Sequence, residues 1–220
     1  MVQKKLKNLW QKGRKQMLND VTVFNIREYL SAKGDKDFGE DELRQLLSDF
    51  LCDKNPDVEK FLKEQSIEFT KKNQSVTYLV FSNDDASLVG YFTITIKPIT
   101  VNAENFSNTM KRKIARVSEL DDENGTYTLS AYLIAQLGKN YKDGANEKIT
   151  GEQLLQAAVE TIKELQYMVG GMVIFLEAEN NDKLMHFYED ENGFKRFDIR
   201  ETKCSNNDEI CKLIQLLKVM

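Results

Sequence analysis

Cysteine and histidine are scarce in this chain, and neither is arranged to hold a metal. Its cysteines, Cys52, Cys204 and Cys211, are odd in number and lack CxxC spacing, which speaks against a secreted disulfide framework and for reduced thiols. His186 is the single histidine, and no cysteine lies near it in sequence, so no zinc site is expected. Any Ser-His-Asp or Cys-His arrangement has only that one imidazole. Long apolar runs are missing as well. The longest, Met172 to Leu176, falls far short of the roughly 20 residues a membrane helix needs, and the basic start MVQKKLKNLWQKGRKQ lacks the apolar core of a signal peptide. A cytoplasmic protein, neither exported nor membrane-embedded, is expected. There is no excess charge of either sign. The 31 basic residues face 35 acidic ones, for a net charge of −4, which gives no support to a polyanionic partner.

What is present suits one α/β domain. A chain of 220 residues that is 41% apolar can build one substantial core. We assign residues 1–20 to a basic N-terminal arm and 21–220 to a single domain. The arm carries Lys4, Lys5, Lys7, Lys12, Arg14 and Lys15, with Leu6, Leu9 and Trp10 at the spacing of a short amphipathic helix. It reads as a solvated or docked arm, or as one that contacts phosphate.

Val21 to Ile26 reads as a first strand. Leu43, Leu46, Leu47, Phe50 and Leu51 keep helical spacing, and Asn55-Pro56 opens another helix. Val76 to Phe81 and Leu88 to Ile96 form a hairpin around the turn SNDDAS. Lys97 to Gly125 is a long polar excursion before a strand from Tyr127 to Leu137. A loop from Lys139 then leads to a long helix capped by Thr150 and Gln153, a capping box. Gly170-Gly171 ends that helix. A buried strand from Met172 to Ala178, a short helix through Glu189 and a strand from Phe194 to Ile199 follow. Ile210, Leu213, Ile214, Leu216 and Leu217 suggest a C-terminal helix. The order before it is β-α-α-β-β-β-α-β-α-β.

The strongest local signal is the passage from strand through loop into the helix capped by Thr150. Unpaired amides and the positive end of the helix dipole point outward together there, which suits a phosphate. Many α/β proteins start a helix in this way, so wider context is needed. The runs TYLVF, LVGYFTITIKPI, YTLSAYLIAQLGKNY, KITGEQLLQAAVETI and MVIFLEAENNDKLMHFYEDENGF supply it. In order and wording they resemble the GNAT N-acetyltransferases, including bacterial toxin-type members, over roughly residues 40–200.

The resemblance implies a mixed-sheet α/β fold with splayed central strands flanked by helices, and acetyl-CoA as co-substrate without a metal. The family's pyrophosphate loop, Q/R-x-x-G-x-G/A, falls on Lys148, Ile149, Thr150, Gly151, Glu152 and Gln153. It departs at Lys148, at the large Gln153, and through the negative charge of Glu152, which Lys148 or Lys142 is expected to offset. The main chain of Ile134, Ala135, Gln136 and Leu137 would pair with the pantetheine arm, one amide polarising the thioester carbonyl. Asn180 and Asn181 match an asparagine near that arm, or cap the next helix. Tyr188 matches the tyrosine that protonates the departing thiolate in many relatives, or else packs beside Leu184 and Phe187.

His186 lies two helical positions from Tyr188 and so about 200° around the axis; it reads as a surface residue. Glu177 and Glu119 are candidate bases for the attacking amine, with Glu179 beside Glu177 on one strand face. The expected reaction is direct attack by a primary amine in a ternary complex. The acceptor is a small molecule, a protein amine or an aminoacyl-tRNA. The acidic balance weighs against the last, which only the basic arm supports. The rival readings are a non-catalytic acyl-CoA-binding module and a structural partner in a toxin system. The chain is expected to be a monomer or homodimer.

Overall fold

The computed structural model describes residues 15–18, 20–31, 39–203 and 210–220. The basic arm at residues 1–14 lies outside the described residues. The chain divides into two compact units: one runs to Thr95 and takes Ile134–Glu164, and the other takes Ile96–Leu133 and Leu165–Met220.

In the first unit the strand order is β1-β2-β3-β4-β6. β1 (Lys15–Leu18) turns into β2 (Val21–Asn25), which pairs antiparallel with β3 (Val76–Ser82). β3 in turn pairs with the start of β4 (Leu88–Asn102), and the expected SNDDAS hairpin joins them. β6 (Thr126–Lys139) contributes its last residues. Three helical segments separate β2 from β3: α1 (Ile26–Ser31), α2 (Glu40–Ser48) and α3, which runs from Pro56 to Lys71 with a wider π-type turn at Phe61–Gln65. The Asn55 carboxamide oxygen accepts from the amides of Asp57 at 3.2 Å and Val58 at 3.3 Å, and Pro56 fills the first turn, where no donor is needed.

Leu43, Leu47 and Leu62 from these helices close on Phe24, Phe50, Leu79 and Tyr91 in a single apolar cluster. Gly138 lets the sheet approach this layer, and Gly90 lets β4 approach β6 closely. A Cβ at Gly138 would sit 2.4 Å from a Val58 methyl, and one at Gly90 would sit 2.9 Å from the Gly138 carbonyl oxygen.

α5 (Gly151–Val169) follows a 3-10 segment at Lys142–Lys148 and runs through both units. Its apolar stripe, Leu154, Leu155, Ala158 and Ile162, is buried as the 3.6-residue period requires.

The second unit holds the rest of β4 and the start of β6, followed by β7 (Val173–Glu179), β9 (Ile210–Val219) and β8 (Lys195–Lys203) in sheet order. The polar excursion is more ordered than expected. β4 continues to Asn102, α4 spans Asn108–Ile114 under a Ser107 cap, and β5 (Leu120–Asp121) pairs with Tyr127 and Thr126. α6 (Asp182–Met185) continues into a π-type turn at His186–Glu191.

The expected C-terminal helix is instead strand β9, paired antiparallel with both β7 and β8. Leu213, Ile214, Leu216 and Leu217 fit either period, and two flanking strands that take up its amides and carbonyls decide for the sheet. Cys52 is a free, buried thiol as expected, whereas Cys211 is disulfide-bonded. Among the described residues no helix is long and apolar enough to cross a membrane.

Candidate functional site

The loop into α5 is built by the capping box that the sequence predicts. The Thr150 amide donates to Gln153 Oε1 at 2.8 Å, and the Gln153 amide donates to Thr150 Oγ1 at 3.0 Å. The Leu154 amide bonds the Thr150 carbonyl. These bonds use three of the six amides from Ile149 to Leu154. Those of Ile149, Gly151 and Glu152 take no hydrogen-bond partner among the described residues, so open donors remain at the start of a 19-residue helix.

The lysines do not offset Glu152 as expected. Lys148 Nζ lies 2.5 Å from Asp85 Oδ2 and donates to Ser87 Oγ at 3.1 Å, and Lys142 pairs with Asp49. Both long side chains found closer carboxylates, on the β3–β4 turn and at the end of α2. Lys148 and the Ser87 donors together pull Asp85 down to about 2.

Asn140, which the sequence reading passed over, locks this junction. It is 4% exposed and follows β6 directly. Its Nδ2 donates to the Leu88 carbonyl at 2.9 Å, and its Oδ1 accepts from Leu51 at 2.9 Å and from Lys142 at 3.1 Å. Its backbone amide bonds the Val89 carbonyl, and the Tyr141 amide bonds that of Leu51. A lone asparagine after a strand looks like ordinary loop chemistry, so no local pattern marks it. On β6, Ile134 is buried while Ala135, Gln136 and Leu137 are half-buried. The three open amides suit a diphosphate, whereas the charge of Glu152 is not offset because the nearest lysines are paired elsewhere.

In the second unit, Glu177 sits on β7 with both carboxylate oxygens engaged. Oε2 accepts from Arg200 at 2.8 Å and Oε1 from Gln215 at 2.7 Å. It lines a cavity of about 350 Å³ with Leu133, Phe175, Phe197 and Asp198. A register shift between Arg196 and Asp198 re-aims Phe197 toward Phe175, and Asn105 caps the Phe197 carbonyl at 3.3 Å. Glu119 is exposed and does not line that cavity.

Asn181 caps α6, its Oδ1 accepting from Lys183 and Leu184, while Asn180 is exposed. The Tyr188 ring packs against Phe187 and Phe194, and burial pushes its phenol up to about 12. His186 is exposed and bonds Asp190 at 2.7 Å. Among the described residues no group of three His, Cys, Asp or Glu side chains could hold a metal.

No protein-family model matches the sequence, and no curated protein matches it. Solved structures do. AtaT complexed with acetyl-methionyl-tRNAfMet is 17% identical with a TM-score of 0.55, over 89% of this chain and 94% of that one. A tyrosine-to-phenylalanine mutant of KacT is 17% identical at 0.56, over 91% and 95%. A mutant of the toxin AtaT bound to the C-terminus of the antitoxin AtaR and acetyl-CoA is 16% identical at 0.50, over 91% and 93%.

The chain has the GNAT fold. At such identities the likeness carries the architecture, a mixed α/β chain with β6 leading through a loop into α5, and leaves side-chain roles to be argued.

Proposed function

We propose that the chain is an acetyl-CoA-dependent N-acetyltransferase. The observation that carries this reading is the set of open amides at Ile149, Gly151 and Glu152, at the start of a long helix fed by β6 within a GNAT fold. Those amides would hold the diphosphate of coenzyme A, and the main chain of residues 134–137 would run beside the pantetheine arm. One amide of that stretch would stabilise negative charge on the thioester oxygen. Coenzyme A supplies the activated acyl group. The protein supplies position and amide donors, and Tyr188 is the candidate proton donor to the departing thiolate, with a phenol that burial makes a weaker acid than an exposed tyrosine. With both its oxygens engaged by Arg200 and Gln215, Glu177 fits the orientation of an acceptor better than proton abstraction.

An aminoacyl-tRNA acceptor is a second reading, favoured by the acetyl-methionyl-tRNAfMet in the AtaT complex. The acidic balance of the chain does not decide against it, because nucleic acids respond to local rather than net charge. Calorimetry with acetyl-CoA, combined with release of free thiol over a panel of amines, peptides and charged tRNAs, tests both readings. Binding with acceptor-dependent thiol release supports an enzyme and identifies its acceptor. Binding without turnover for any acceptor supports the non-catalytic module, and absence of binding removes the proposal.

A further inference from the structure

Of the first unit's lysines that take no ion-pair partner among the described residues, two stand close together at the end of β6. Lys142 and Lys148 are bound to Asp49 and Asp85, whereas Lys54 and Lys139 take no ion-pair partner among the described residues. Their backbones are held near one another. The Tyr141 amide bonds the Leu51 carbonyl at 2.8 Å and Asn140 Oδ1 accepts from the Leu51 amide at 2.9 Å, so the segment carrying Lys54 docks onto the end of β6. Lys54 Nζ lies 4.7 Å from the centre of the Tyr141 ring, two residues beyond Lys139. Lys139 is half-buried, and desolvation first, then the Lys54 charge, lowers its affinity for a proton. Two like charges kept together, one of them partly out of water, leave an unbalanced positive potential that an anion would relieve.

The position says which anion. At about 3.3 Å per residue, Lys139 lies roughly 16 Å along the strand from Ile134. That is the end of the stretch beside which an extended pantetheine arm would run, where the nucleotide end begins.

We propose that Lys54 and Lys139 together hold a phosphate group at the nucleotide end of coenzyme A. The assignment rests on the acyltransferase reading and supplies the positive charge that the loop itself lacks, since Lys148 and Lys142 are committed elsewhere. The ammonium of Lys54 is steered by the Tyr141 face, and the backbone next to Lys139 is anchored by Asn140, whose Nδ2 donates to the Leu88 carbonyl.

The test is calorimetry of Lys54→Met, Lys139→Met and the double variant against coenzyme A, dephospho-coenzyme A and inorganic pyrophosphate. Methionine keeps the aliphatic length, and Lys139→Arg, which keeps the charge, should bind as the native chain does. Each single change is expected to weaken coenzyme A binding about five- to tenfold and the pair roughly 30- to 100-fold, with the native affinity falling as salt rises.

A loss confined to coenzyme A over dephospho-coenzyme A assigns the pair to the 3′-phosphate, and an equal loss for both assigns it to the diphosphate. Unchanged binding of all three probes in a folded double variant overturns the proposal. If the native chain binds pyrophosphate but not coenzyme A, and the double variant loses it, the anion site stands and the acyltransferase reading falls. Native protein that binds none of the three overturns both.

Discussion

Replacing Gln153 by alanine should tighten coenzyme A binding while slightly destabilising the protein. The side chain of Gln153 holds the Thr150 amide at 2.8 Å, which removes a donor that would otherwise join those of Ile149, Gly151 and Glu152. Gln153→Ala frees that amide and brings the loop to the small final residue of the family pattern. The reciprocal bond, from the Gln153 amide to Thr150 Oγ1, survives. The exposed half of the capping box lost here is worth about 0.5–1 kcal/mol, or a fall of roughly 1–4 °C in Tm for a chain of this size.

A hydrogen bond to a charged group contributes about 1.5–3 kcal/mol. Setting the solvation of the freed amide against it leaves about 1 kcal/mol, some five- to tenfold in Kd. Calorimetry and thermal melting on the same preparation measure both quantities. Gln153→Glu, which keeps the cap and adds a negative charge, should weaken binding. An alanine variant whose Tm falls as expected while its affinity stays level or drops would refute the competition between cap and ligand.

Asn140→Ala should cost about 2–4 kcal/mol, because it strands the Leu51 amide and the Leu88 carbonyl of a buried junction, and denaturant unfolding measures it. Gly138→Val should be severely destabilising by the same assay, since even a Cβ there meets Val58, Tyr91 and Phe50. Tyr188→Phe should lower kcat about 10- to 100-fold with little change in KM for acetyl-CoA; an unchanged kcat would assign Tyr188 to packing alone. Asp85 titrates near 2, below its usual 3.8. Its contribution is therefore complete above about pH 4 and lost as pH falls through about 2. Asp85→Asn should show a shallower acid unfolding over that window than the native chain.

Much of this molecule is written in local pattern. The capping box, the Asn55-Pro56 helix start, the SNDDAS hairpin and the stripe of α5 each depend on residues within a few positions of one another. Nearest-neighbour sterics, hydrogen bonding and local apolar period therefore encode them. Family wording placed the expected phosphate loop at Lys148 to Gln153, and the fold puts a helix start with open amides there.

What sequence could not decide depends on partners far along the chain. Residues 210–219 carry a pattern compatible with helix or strand, and only insertion between β7 and β8 selects the strand. Lys148 and Asp85 are 63 residues apart, and Asn140 and Leu51 are 89 apart. An ion or amide side chain takes whichever partner the fold brings within about 3 Å, and no local pattern encodes that choice. Tertiary structure alone therefore decided that Lys142 and Lys148 are neutralised, while Lys54 and Lys139 are among the lysines without an ion pair among the described residues.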